Sequence, residues 1–293
     1  MHIFDEFDAI VDRDVRLAPL TWYGLGGPAD YLIRPQSVEQ LQEVTQRCRE
    51  NDMPVFVIGF GSNLLIPDHG VRGAVIKLDS DPFCRVTYTD DHVTAWAGAE
   101  LRKIVLDCVK KGLSGMEVLA GIPGSVGGAV RMNAGGGLGD IGSVVDRVTV
   151  MDRNGQIVER SKPDLSFNYR LSNITAPLIL NATMHLVPGD PDQILRTVQE
   201  TWIYKKNHQP LNTRSCGCVF KNPRGQSAGA LIDRAGLKGL QIGGARVSEK
   251  HANFIVALEG CRSDDVRRLI ETIQQRIQAQ LNVTLETEIE IWS

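Results

Sequence analysis

The stretch Gly121-Ile-Pro-Gly-Ser-Val-Gly-Gly-Ala-Val-Arg-Met-Asn-Ala-Gly-Gly-Gly-Leu-Gly-Asp-Ile-Gly142 holds nine of the chain's 29 glycines. Average usage of about 7% would put about 20 glycines in the whole chain, so the excess is concentrated here. Glycine loses more freedom on folding than any other residue, and such a run has to offset that cost. A flexible linker tolerates the composition, but linkers do not interleave Ile122, Val126, Val130 and Met132. Bare backbone with apolar anchors suits a large flat ligand bearing a pyrophosphate, which needs close backbone approach and N–H donors without side-chain collisions.

The elements around this stretch are mixed. Upstream, Ser37-Val38-Glu39-Gln40 reads as a capping box, and Val38, Leu41, Val44 and Cys48 recur at helical spacing until Met53-Pro54. Val55–Ile58 reads as a strand, 71–78 as another, and 84–89 with 92–97 as a hairpin. A helix with Leu101, Ile104, Val105, Cys108 and Val109 on one face closes at Gly112. Downstream, strands at 144–151 and 157–160 join through Asn154-Gly155, and 177–187 reads as one more. Pro188-Gly189-Asp190-Pro191 marks a boundary, followed by a helix with Ile194, Leu195, Val198 and Trp202 on one side. The remainder reads as a strand near 217–221, a helix near 226–235 ended by Gly236, a strand at 253–258, a helix from Ser263 to about Leu281 and a closing strand.

A second glycine loop, Gly59-Phe-Gly61-Ser62-Asn63, follows a strand, and Asp79 lies 20 residues after Gly59. The dinucleotide fingerprint fails there: Leu64 stands where the third glycine belongs, and Pro67 and Gly70 leave no room for the helix that would receive a pyrophosphate. The loop reads either as an anion-binding nest or as a plain tight turn.

Bulk properties narrow the partners. The chain has 293 residues, 42% apolar and 23% charged, with a net charge of −3, giving no dominant basic face for nucleic acid or an anionic membrane. The N-terminal stretch is acidic from its fifth residue and does not read as a signal peptide, and no apolar run approaches the ~18 residues of a membrane span. The six cysteines are scattered apart from Cys216 and Cys218 and read as reduced cytosolic thiols. No Cys/His spacing suggests a metal site, and no obligatory protein partner is evident.

Five blocks, two of them these glycine loops, sharpen the picture: Thr21-Trp-Tyr-Gly-Leu-Gly-Gly-Pro-Ala-Asp30, Gly59-Phe-Gly-Ser-Asn-Leu-Leu65, Gly121 to Gly135, Phe167-Asn-Tyr-Arg170-Leu-Ser172 and Gly217-Cys-Val-Phe-Lys-Asn-Pro223. With Ala228 to Ile232, Gly243 to Ser248, His251-Ala-Asn-Phe254 and Leu285-Glu-Thr-Glu288-Ile289, they resemble, in order and over nearly the whole chain, the UDP-N-acetylenolpyruvoylglucosamine reductase family, in its shorter subclass. The resemblance implies an α+β chain with an FAD-binding fold of the vanillyl-alcohol-oxidase (PCMH) type in two subdomains, 1–80 and 81–189, and a C-terminal α/β substrate domain, 190–293. It implies a cytoplasmic enzyme that uses NADPH and FAD to reduce a UDP-sugar enolpyruvyl ether in peptidoglycan precursor synthesis. By the same resemblance Gly59, Gly61, Ser62, Asn63 and Leu64 face FAD, as do Gly121, Ile122, Pro123, Gly124, Ser125, Gly127, Gly128, Asn133 and Ala134. Lys221, Asn222 and His208, the last where the family commonly has lysine, would contact the UDP-sugar.

Hydride addition to the enolpyruvyl C3 leaves negative charge at C2 and the neighbouring carboxylate, which calls for a fixed cation, a hydrogen-bond donor and an acid. The resemblance assigns Arg170 and Glu288 to the carboxylate and Cys218 to proton donation, with cysteine where the family usually has serine. To donate a hydrogen bond, Glu288 would have to hold a proton. On the residues alone, Arg170 reads as a surface arginine at a strand end, Glu288 as part of a solvated face with Glu286 and Glu290, and Cys218 as a buried small residue alternating with Cys216 and Phe220. Two other functions remain open at this level: a different FAD oxidoreductase or oxidase on the same fold, and a flavin-binding protein without catalysis.

Overall fold

The computed structural model describes residues 3–293; Met1 and His2, at the head of the acidic N-terminal stretch, lie outside it. Two compact units form, each discontinuous in sequence. The first gathers residues up to Arg13, Asp30–Phe60 and Arg72–Tyr204. Helix α1 (Val38–Glu50) starts where Ser37 Oγ accepts the Gln40 N–H at 3.2 Å. Gln40 Oε1 reaches back to the Gln36 N–H at 2.8 Å, one residue beyond the reciprocal bond of a capping box. Its apolar face, Leu41, Val44 and Cys48, is buried.

A four-stranded sheet runs in the order Val11–Arg16, Pro28–Ile33, Val71–Lys77, Val55–Ile58, the last two parallel with Val55 opposite Ala74. A second sheet of five strands is antiparallel throughout, in the order Ile157–Ser161, Val145–Met151, Leu178–His185, His92–Trp96, Val86–Tyr88. Helix α2 (Leu101–Lys111) stops at Gly112, which takes φ 65° as a left-handed C-cap. Helix α3 (Val126–Arg131) lies inside the glycine stretch and buries Val126, Ala129 and Val130. Helix α4 (Pro191–His208) buries Ile194, Val198 and Thr201. The expected apolar side is corrected there, because Leu195 and Trp202 are 37% and 39% exposed; Ile194, Val198 and Thr201 follow the i, i+4, i+7 spacing and take the inward stripe.

The second unit gathers Asp14–Ala29, Gly61–Val71 and Lys205–Ser293. Helices α5 (Ala228–Arg234) and α6 (Ser263–Leu281) pack with a three-stranded sheet of Gln241–Ile242, Ala245–Val247 and Ile255–Ala257. Val266, Leu269, Ile270, Ile273 and Ile277 of α6 share a core with Tyr23, Leu25, Leu65 and Phe220. Both carboxylate oxygens of Asp68 accept from the first turn of α6, Ser263 N–H at 3.0 Å and Asp264 N–H at 3.1 Å, which stabilises the helix start by about 1 kcal/mol.

Two expected strands are corrected. Residues 217–221 form no strand: only an isolated bridge, Phe220 to Thr287, is present, because Gly217 takes φ +78° and breaks the extended path. The closing strand shrinks to Glu290–Ile291, paired parallel with Leu64–Leu65. The α+β reading of the chain holds.

Candidate functional site

A cleft in the first unit is lined in part by glycines. Gly59, Phe60, Lys77, Gly98, Ser125 and Gly127 all line it. A Cβ at Gly59 would sit 2.5 Å from Ser125 Oγ, one at Gly98 1.7 Å from the Leu78 carbonyl, and one at Gly127 2.9 Å from Ala97 Cβ. Real Cβ atoms do not approach so closely, so these glycines let strand ends and the start of α3 close on each other. The N–H donors of this loop are another matter. Val126 donates to Ala99 O at 3.0 Å, Gly127 to Ala97 O at 2.9 Å and Gly128 to Ser125 Oγ at 3.4 Å. The amides at the start of α3 are therefore taken within the protein.

In the same cleft the Phe60 N–H finds no protein acceptor among the described residues. Lys77 Nζ lies 3.1 Å from Gly59 O, 3.7 Å from Asp79 and 6.0 Å from the Phe60 ring centroid. Its side chain is 14% exposed, so a cation is held at the cleft wall. A close-fitting glycine lining, an open amide and a semi-buried ammonium fit the diphosphate end of FAD. The sequence signal for Lys77 is a lysine closing a strand in which Val71 and the four residues 73–76 are buried.

The rest of the two glycine loops divides by role. Gly121 and Gly124 take φ +72° and +151°, Ile122 packs on the core with Ala134, and Pro123 lies between the two left-handed glycines. Gly61, at φ +63°, presses against Leu20 O. Asn63 Nδ2 donates to the Glu288 carbonyl at 3.1 Å, and Leu64 O accepts the Cys216 thiol at 3.2 Å. Ser62 is half-buried in the same loop. Asn133 is 1% exposed and its amide is spent on the protein, Nδ2 to Asn168 O and Oδ1 from Gly142 N–H, both at 2.9 Å. At Gly136 and Gly137 a Cβ would meet nothing within 4 Å, so those two need no bare backbone.

Arg170 stands at a strand end, directly before Leu171–Ser172. It is the second residue of a two-residue loop between Phe167–Asn168 and Leu171–Ser172 and has φ +55°. Its guanidinium lies 5.4 Å from the Tyr169 ring centroid.

In the second unit Cys218 and Glu288 lie on adjoining segments. The Glu288 N–H donates to Val219 O at 2.7 Å, the Lys221 N–H to Glu286 O at 2.9 Å, and Phe220 bridges Thr287. Asn253, 2% exposed, fixes the Cys218 segment: its carbonyl accepts Val219 N–H at 2.8 Å, and its amide both accepts from Phe220 N–H and donates to Phe220 O. The expected alternation is corrected here. Cys216 and Phe220 are buried but so is Val219, while Cys218 is half-exposed; the left-handed Gly217 turns the chain between the two thiols. Among the three glutamates, Glu286 and Glu290 are exposed and Glu288 is half-buried.

Lys221 Nζ lies 3.6 Å from Glu286, Asn222 Oδ1 accepts the first N–H of α5 at 2.9 Å, and His208 ends α4 on an exposed turn. Burial pushes the other thiols up: Cys48 and Cys261 to about 11, Cys108 and Cys216 to about 12, with Cys84 also raised. None of the six is in a disulfide. Among the described residues no cluster of His, Cys, Asp and Glu is arranged to hold a metal.

Comparison with known proteins gives two family matches: an FAD binding domain over residues 29–161, and the C-terminal domain of UDP-N-acetylenolpyruvoylglucosamine reductase over residues 209–292. The chain is 40% identical over 274 residues to the UDP-N-acetylenolpyruvoylglucosamine reductase of Clostridium tetani, covering 92% of this chain and 88% of that protein. It is 40% identical over 278 residues to that of Bacillus velezensis, covering 94% and 91%. The crystal structure of the reductase of Thermus caldophilus superposes with a TM-score of 0.83 at 39% identity, covering 97% of this chain and 99% of that one.

Proposed function

Because the chain belongs to the UDP-N-acetylenolpyruvoylglucosamine reductase family, we propose that Arg170, Cys218 and Glu288 are the groups with which it handles the enolpyruvyl half of its substrate. The protein is an FAD-dependent oxidoreductase that uses NADPH to reduce UDP-N-acetylglucosamine enolpyruvate to UDP-N-acetylmuramate for peptidoglycan synthesis. FAD, when bound, supplies the hydride chemistry. The residues of the chain manage charge and protons.

Arg170, a permanent planar cation with paired donors, meets the substrate carboxylate and stabilises the negative charge that builds there as C3 accepts hydride. Glu288, holding a proton, donates a hydrogen bond to the same carboxylate. Cys218 then gives its thiol proton to C2, completing the lactyl ether. The observation that carries this reading is the 2.7 Å bond from the Glu288 N–H to Val219 O, which sets a proton donor and a carboxyl group on adjoining segments. Gly59, Gly98, Gly127, Ser125 and Lys77 hold FAD, with Gly121 to Gly128 and Ala134 as its frame, while Lys221, Asn222 and His208 reach the UDP-sugar. The reading keeps FAD subdomains at 1–80 and 81–189 and a substrate domain at 190–293. It places the enzyme in the cytoplasm; no helix among the described residues is long and apolar enough to cross a membrane.

Iodoacetamide tests it. Burial raises the other five thiols above their ordinary value, which disfavours the reactive thiolate at each of them. Peptide mapping is expected to find alkylation at Cys218, falling at least fivefold when the UDP-sugar substrate is present. Equal labelling with and without substrate removes Cys218 from the reaction site.

A further inference from the structure

We propose that Asn133 is a positioning residue for Arg170, clamping the hairpin that presents this arginine. The inference rests on the role assigned to Arg170 above. The hairpin has two paired positions, Phe167 with Ser172 and Asn168 with Leu171. So short a pair of strands is marginal by itself. Its two-residue loop is also unfavourable. Such loops prefer turns with left-handed backbone at both positions or at the first; here the second position, Arg170, has φ +55° and Tyr169 is not left-handed. A left-handed residue with a Cβ is strained, so something outside the hairpin has to hold it.

The chain around the C-terminal end of α3 does so from both sides. On the entering strand Asn133 Nδ2 donates to Asn168 O at 2.9 Å, one residue before the loop. On the leaving strand Ser172 Oγ donates to Arg131 O at 2.9 Å. Asn133 Oδ1 also accepts the Gly142 N–H at 2.9 Å, and a Cβ at Gly142 would lie 2.4 Å from Phe167, so the end of the glycine stretch is seated against the same hairpin. Asn133 is itself left-handed at φ +45°, a conformation asparagine tolerates better than most residues. At the other end of α3 stand Ser125 and Gly127 of the cofactor cleft. One short helix therefore frames the cofactor at its start and anchors the Arg170 loop at its finish.

The test uses holoenzyme carrying Asn133→Gly, which removes the amide without penalising the left-handed backbone. NADPH reduction of the bound flavin is expected to slow at least fivefold less than its reoxidation. Reoxidation by the enolpyruvyl UDP-sugar is expected to slow by about ten- to a hundredfold, as misplaced groups do. Hydrogen exchange at residues 168–172 should accelerate while the strand Leu178–His185 keeps its protection. Asn133→Asp, which retains the acceptor for Gly142 and loses the donation to Asn168, should show the same pattern and covers the case in which the glycine variant folds poorly. Adding Asn133→Gly to Arg170→Ala should slow reoxidation no more than twofold beyond Arg170→Ala alone. Independent, multiplying losses in that double variant, or parallel losses in both half-reactions, would overturn the clamp. If Arg170→Ala alone leaves reoxidation unchanged, the role of Arg170 fails. The clamp then stands or falls on whether exchange accelerates at 168–172.

Discussion

Cys218→Ala is expected to leave NADPH reduction of the flavin within about twofold of wild type and to slow reoxidation by the enolpyruvyl UDP-sugar by about 10²- to 10⁴-fold, the range that a positioned general acid contributes. Stopped-flow absorbance of the flavin separates the two steps. The expectation follows from the position of the thiol: Gly217 turns the chain so that Cys216 enters the core while Cys218 stays half-exposed. Asn253 and the 286–289 segment fix the backbone on the next two residues. A thiol, with a reference pKa near ~8.5, is a stronger acid than an aliphatic hydroxyl, so cysteine serves where the family usually has serine. Cys218→Ser should accordingly keep most of the reoxidation rate. Unchanged reoxidation in Cys218→Ala would remove the proton-donor role.

Glu288→Ala is expected to slow the same reoxidation by about 10²- to 10³-fold, the loss typical of removing one donor aimed at developing negative charge. Glu288→Gln retains an N–H donor at that position and should recover part of the rate. Glu290→Ala provides the control, since its side chain is exposed and its backbone pairs with Leu64; both half-reactions should stay within about twofold. The distinction between two glutamates two residues apart comes from their surroundings. Glu288 has its N–H on Val219 O and its carbonyl on Asn63 Nδ2, which holds its side chain in one register. Equal effects from Glu288→Ala and Glu290→Ala would show that the segment matters only as a strand.

Local signals in the sequence match the elements that form. The helix Ser263–Leu281 runs over the span its apolar spacing indicated, and Gly112 and Gly236 both take the left-handed conformation that ends a helix. Asn154-Gly155 joins its two strands, although through five residues, Asp152 to Gln156, with an Asp152 side-chain turn in place of the tight two-residue turn. What was illegible depends on contacts far apart in sequence. Tyr23, Leu25 and Leu65 share a core with Phe220 and Ile277, and no composition shift marks the segments 14–29 and 61–71 that carry them.

The same holds at the site. A period-2 reading of Cys216, Cys218 and Phe220 fails because glycine between the thiols allows a positive φ that periodicity cannot register. Arg170 looked like a surface arginine because the hairpin that displays it has two paired positions and is held by Asn133 and Arg131, 37 and 39 residues earlier. Glycines that wall the cleft were visible as composition. Which of them touch was not: Gly59 meets Ser125, and Gly127 meets Ala97.

The central claim is that this chain reduces an enolpyruvyl UDP-sugar through a bound flavin, with its own residues handling the proton and the charge. Its most direct measurement is an anaerobic titration of the NADPH-reduced protein with UDP-N-acetylglucosamine enolpyruvate. The flavin is expected to reoxidise fully at one equivalent, yielding UDP-N-acetylmuramate with one solvent-derived proton at C2. A flavin that stays reduced under those conditions and reoxidises only when oxygen is admitted would contradict the account.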